Sequence, residues 1–273
     1  MSEMKPKKRN IIRITAGKLY YTCIRYVYWY FSKTRFARNT DNNLQPCIVF
    51  EHKTPLLRKL KNVDMWLQHN KVKNLAIAIK ALDRIIIRPG ETFSFWRVVG
   101  KPTRFKGYVK GLVLFSGGFG TGIGGGLCQM TNLIYWMTLH TPLTVKERYR
   151  HSYDVFPDAD RTQPFGSGAT CVYNYRDLQI CNNTEETYQL HIYLTEEHLC
   201  GEWRASNHSS FRYEVYEKEH HIDHEIWGGY TRHNTICRKV FDRDGTYLYE
   251  EYLTENHAIM MYPPFLNKGC NSD

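Results

Sequence analysis

Cys128 follows a run in which seven of the ten residues from Gly117 to Gly126 are glycine, and it opens an apolar stretch that reads as a helix. A thiol in the first turn of a helix meets unpaired N–H groups and the positive end of the helix dipole, both of which stabilise a thiolate. The glycines before it allow φ > 0 where the chain must turn sharply, and they let a substrate or another chain approach the backbone. Gly124, Gly125, Gly126 and Gln129 are therefore the candidate substrate contacts. The plain alternative is a flexible loop followed by a small buried cysteine.

The helix predicted from about Gln129 to His140 ends at Thr141-Pro142, since proline forbids continuation and pushes the residue before it out of the helical region. Beyond it, "LTVKERYRHSYDVF" reads as a strand carrying His151, and "GATCVYNYRDLQICNNT" as a second strand carrying Asp177. Cysteine, histidine and acid in that order match the layout of a papain-like or transglutaminase-like site, where imidazole takes the thiol proton and the acid orients the imidazole. Asp154, Asp158 and Asp160 are alternatives for the third role, and Gln129 or its backbone N–H is the candidate oxyanion donor.

Three blocks carry a resemblance. "PGETFSFWRVVG" at 89–100, "GGGLCQMTNLIYWMTLHTPLTVKERYRH" at 124–151 and "DLQICNNT" at 177–184 stand in the order and spacing found in the VanW family, and the likeness runs from roughly Lys71 to Leu194. The resemblance implies a glycopeptide-resistance or cell-envelope context and assigns no reaction. Where the family pattern reads G-x-D-A-T, this chain has Gly166, Ser167, Gly168, Ala169 and Thr170. Gly168 thus replaces an aspartate; if that aspartate completes a triad in the family, this chain lacks it or uses Asp177.

With 273 residues the chain can bury a sizeable core, and a mean hydropathy of −0.52 excludes a polytopic membrane protein. The net charge of +10 sits almost wholly in residues 1–38, where ten basic side chains face Glu3 alone. The remainder is nearly neutral, so no basic groove for nucleic acid is expected. The run "KLYYTCIRYVYWYF" is too short and polar to span a bilayer and lacks the features of a signal peptide. Peripheral membrane contact through residues 1–38 and packing of those aromatics onto the domain are both open to it. Eight cysteines without CxxC pairs read as reduced thiols, which places the protein in the cytoplasm, peripheral at the membrane if that contact is made. A disulfide such as Cys171–Cys181 on adjacent strands is open to the chain only if it is exported.

The supporting elements read as α+β: a mixed helix and antiparallel-sheet core with a β-rich C-terminal region. One or two helices cover about 64–84, and "RIIIRPGETFSFW" gives a strand, a Pro-Gly turn and another strand, as a hairpin or a tight corner. Five alternating segments from Thr187 to Thr254 follow, with Asp244-Gly245 as a turn. The domain reading is 1–45 as a basic aromatic segment, 46–200 as the VanW-like domain and 201–273 as a β-rich extension.

No cofactor is expected, because the glycine run lacks the Lys-Ser/Thr of a phosphate loop. No metal is expected at His220, His221, Asp223 and His224, because adjacent strand residues point to opposite faces. Two functions remain. One is a non-enzymatic accessory protein binding a peptidoglycan precursor or a resistance-pathway protein. The other is a cysteine amidase or acyltransferase using Cys128, His151 and Asp177 on cell-wall precursors.

Overall fold

The structure is a computed structural model that describes residues 10–58, 63–115, 118–155 and 163–264; Asp158, Asp160, Gly117 and Cys270 lie outside them. It is a mixed α/β fold. The chain begins with helix α1 (Ile11–Phe31), strands β1 (Arg35–Phe36) and β2 (Cys47–Pro55), and helix α2 (Met65–Leu82). Next come β3 (Ile85–Ile87), β4 (Glu91–Ser94), α3 (Phe95–Val99), β5 (Lys110–Phe115) and β6 (Gly118–Ile123). Helix α4 (Cys128–Leu139) leads to β7 (Thr144–Glu147), β8 (Tyr153–Asp154) and β9 (Gln179–Cys181). The chain closes with β10 (Tyr188–Leu194), β11 (His198–Ala205), β12 (Arg212–His224), β13 (Tyr230–Phe241) and β14 (Tyr247–Met260).

Among the described residues three four-stranded sheets form, in the orders β1-β4-β9-β7, β2-β11-β10-β3 and β12-β13-β14-β8, with β5-β6 as a separate hairpin. Alternation in "TYQLHIYL" and "HLCGEWRA" gives the β10–β11 pair, and the last three strands form the antiparallel meander that the sequence predicts. The Pro-Gly segment is a corner and not a hairpin. Gly90 takes φ +74°, and the strands on either side enter different sheets, β3 beside β10 and β4 between β1 and β9.

Helix α4 is apolar almost all round, and it lies against β2 and β11 with Met130, Leu133, Ile134 and Met137 fully buried. Gly201 lets it approach, since a Cβ there would stand 2.7 Å from Met137 Cε. Two arginines tie the C-terminal meander to this core. Arg238 donates to Leu139 O and Thr141 O at 2.8 and 2.7 Å, and Arg148 donates to Gly168 O, Gly166 O, Thr254 Oγ1 and Asn256 Oδ1.

The glycine-rich run is half strand: Gly118–Ile123 pairs with Lys110–Phe115 before the chain turns at Gly124. Gly122, Gly124, Gly125 and Gly126 serve packing within the protein. A Cβ on Gly125 would stand 2.2 Å from Gly111 C, and one on Gly126 (φ +94°) 2.3 Å from Lys71 Cγ. Gly125→Ala therefore forces two backbones apart and should cost at least about 2–3 kcal/mol. Gly245→Ala, with φ +84° but nothing within 4 Å, should cost about 1 kcal/mol. Paired thermal melts check the difference; equal losses would mean that the Gly111–Gly125 contact carries no packing constraint.

Helix α1 docks by its C-terminal half. Arg25 forms a bidentate pair with Glu147 at 2.5 and 2.6 Å, Tyr28 donates to Gln179, and buried Trp29 donates to Ser94 Oγ at 3.1 Å. Tyr20, Ile24, Val27 and Phe31 stay exposed along one stripe. No helix among the described residues is long and apolar enough to cross a membrane.

Candidate functional site

The turn at residues 124–127 delivers Cys128 as the first residue of α4, with Gln129 N–H donating to Gly126 O and Met130 N–H to Leu127 O. One turn further on, the helix grips a passing segment from both sides. Thr131 Oγ1 donates to Ala169 O at 2.6 Å, and Asn132 Oδ1 accepts from Ala169 N–H at 2.8 Å. Thr170 N–H then donates to Tyr149 O at 2.7 Å. The strip from Gly168 to Cys171 is thus clasped between α4 and the segment after β7, and this brings both Cys171 and His151 to the sulfur of Cys128.

Cys128 is half-buried, with its Sγ 3.7 Å from Cys171 Sγ and 3.7 Å from Cys171 O. The Cys171 thiol holds the Cys128 pKa well below the ordinary thiol value, and His151 adds to this both as hydrogen-bond partner and by charge, against an opposing burial effect. Cys171 moves the other way: burial, then the neighbouring sulfur, pushes it well above the ordinary value. The two shifts run in opposite directions, so Cys128 is the thiol of the pair that gives up its proton more readily. Cys171 and Cys181 are both free thiols, and Cys171 faces Cys128.

Asp177 is fully buried but turned elsewhere. Its carboxylate accepts from Ser94 Oγ at 2.5 Å, Trp96 N–H at 3.0 Å, Leu178 N–H at 3.0 Å and Gln179 Nε2 at 3.5 Å. Burial pushes its pKa up to about 6, with the Ser94 and Trp96 hydrogen bonds pulling it down. Asp154 accepts from Tyr262 and Arg232. Among the described residues no carboxylate hydrogen-bonds the His151 ring. His151 itself lies in the connection between β7 and β8, not on a strand, and Asp177 stands two residues before β9.

Both donors foreseen at Gln129 are already engaged. Its side-chain Nε2 donates to Thr54 Oγ1 and Pro55 O, each at 2.9 Å, and its backbone N–H closes the turn onto Gly126. Gly168 also has a structural reason, because a Cβ there would stand 2.6 Å from Asn132 Oδ1 and break the grip on Ala169. Sequence reading missed Cys171 as a partner of Cys128, as well as Asn132 and Lys71. Lys71 is a buried lysine against Gly126, and burial, then Arg58, brings it down to about 8. A polar residue at i+3 or i+4 from Cys128 within an apolar helix was the available signal for Thr131 and Asn132.

Residues 70–204, which span every part of this cluster, match the family described as VanW like protein. The chain belongs to the VanW family. It is 37% identical over 180 residues to the Vancomycin B-type resistance protein VanW of Enterococcus faecalis, an alignment covering 66% of each chain. It is also 35% identical over 96 residues to the Uncharacterized protein YoaR of Bacillus subtilis, covering 34% of this chain and 32% of that protein. The chain thus spans just under two thirds of the first of these relatives and about a third of the second. No solved structure matches it. Helix α1 and the meander β12–β14 lie outside the family match.

Proposed function

We propose that this chain is an accessory protein of the cell envelope in a glycopeptide-resistance context, and that it performs cysteine-dependent acyl transfer on a peptide-bearing cell-wall precursor. The observation that carries this reading is the Cys128 sulfur at the start of α4, half-buried, 3.7 Å from Cys171 Sγ and with His151 beside it to favour the thiolate. Kinship with the Enterococcus faecalis resistance protein supports the envelope context.

In this reading the Cys128 thiolate attacks an amide carbonyl of the precursor, a thioester forms, and the leaving amine takes a proton from His151. Water or an acceptor amine then attacks the thioester and returns its proton to His151, which releases the thiolate. The layout follows the order of papain-like or transglutaminase-like sites. Asp177, bonded to Ser94, Trp96 and Leu178, keeps a structural role in this reading. The exposed stripe of α1, with the basic side chains around it, serves as peripheral contact with an anionic membrane surface.

Intact-mass spectrometry with a panel of peptidoglycan stem peptides tests the reaction. The expected result is a mass adduct on wild-type protein that hydroxylamine removes and that Cys128→Ala never forms. A second reading, non-enzymatic precursor binding, is favoured by the engagement of Gln129 and Asp177 in internal hydrogen bonds. It stands if Cys128→Ala binds the same peptides as tightly as wild type while neither protein gains mass or cleaves them.

A further inference from the structure

The C-terminal meander gathers imidazoles in a way that no run of neighbouring residues reveals. In register across β12, β13 and β14 stand His221, His233 and His257, one column of three histidines on one face of the sheet. Asp223, two residues after His221 on β12, shares that face. His221 Nε2 and His233 Nε2 each lie 3.6 Å from Asp223 Oδ2, and the donor atoms of the three residues fall within 4.8 Å of one another. A tetrahedral ion with ligand bonds of about 2.0–2.1 Å holds neighbouring donors roughly 3.3 Å apart, and the two His–Asp223 separations come near that distance.

We infer that His221, His233 and Asp223 form a binding site for a divalent transition-metal ion such as Zn2+, on the face of the C-terminal sheet. Imidazole nitrogen with one carboxylate oxygen is a donor set that selects ions of the zinc–copper–nickel group over magnesium or calcium. Three protein ligands leave a fourth position to water or to a ligand from outside the chain.

A further layer stands behind one ligand. His233 Nδ1 is 2.5 Å from His257 Nδ1, and His257 Nε2 is 3.3 Å from Glu255 Oε1. His233 donating the shared proton leaves its Nε2 lone pair for a metal, and the His257–Glu255 pair fixes the ring, as outer hydrogen-bond partners do in metal sites. His233 Nε2 also lies 2.9 Å from Thr231 Oγ1, whose hydroxyl keeps Glu225 as a partner when a metal takes the nitrogen.

The earlier expectation of no metal rested on adjacent residues 220–224 pointing to opposite faces. That holds along β12, and the missing ligand comes from across the ladder. The site lies outside the VanW match and does not depend on cysteine chemistry.

Titrating the full-length, metal-free protein with Zn2+, with Co2+ absorption as a second readout, tests the inference. One equivalent should bind. His221→Ala and His233→Ala should abolish binding, His257→Ala should weaken it on the order of tenfold to a hundredfold, and Cys128→Ser should leave it unchanged. Circular dichroism confirms that these surface variants fold, and His221→Gln repeats the test with a similar-sized residue. Failure of wild type to bind an equivalent at micromolar zinc, retention of binding in both histidine variants, or its loss in Cys128→Ser would each overturn the site.

Discussion

In native protein near neutral pH, Cys128 should be alkylated by iodoacetamide faster than exposed Cys23, and His151→Ala should slow Cys128 by on the order of tenfold to a hundredfold while leaving Cys23 unchanged. Peptide mass spectrometry resolves the two sites, so Cys23 reports any general loss of structure. Because the Cys171 thiol is the largest stabiliser of the thiolate, Cys171→Ala slows Cys128 as well, and Cys171→Ser, which keeps a donor at that place, preserves much of the rate. Labelling of Cys128 that appears only after unfolding would reduce it to a core residue.

Asp177→Ala carries the largest expected stability loss, about 3–5 kcal/mol, because it strands the Trp96 and Leu178 N–H groups and the Ser94 hydroxyl in a buried site. The pH dependence has a definite sign. Burial lifts Asp177 to about 6, so between the ordinary carboxylate range and about 6 the folded state holds a proton that the unfolded chain has released. Raising the pH through that window therefore lowers stability, by up to about 1.4 kcal/mol per pH unit. Asp177→Asn lacks this slope. Chemical denaturation of both proteins from pH 4 to 7 checks it, and parallel curves would show that Asp177 ionises in the fold as it does in the open chain. The same residue holds α1, through Ser94 and Trp29, so its loss should also speed proteolysis within α1.

Local signals were legible in the chain. Strict alternation in 187–194 and 198–205, the Asp244-Gly245 turn and the proline after His140 each act within a few residues, and each appears where the sequence places it. Cys128 at a helix start was readable for the same reason. The rest of the site depends on pairings between distant segments. Cys171 reaches Cys128 because Thr131 and Asn132 clasp Ala169, and His151 arrives because Thr170 pairs with Tyr149. No periodicity encodes those contacts. Asp177 looked like a triad member by chain order, yet its burial and donors come from Ser94 and Trp96, some eighty residues upstream. The glycine run looked like an open loop because glycine signals turns; here it records close packing against Gly111 and Lys71. The histidine column across the meander is invisible for a related reason, since ladder register joins residues 12 and 24 positions apart.

Thiolate titration by ultraviolet absorbance, taken as the difference between wild type and Cys128→Ser, measures the ionisation of this one sulfur directly. The account predicts that Cys128 ionises well below the ordinary thiol range, with its titration displaced upward in His151→Ala. A sulfur that ionises only in the alkaline range, in both proteins alike, would contradict it.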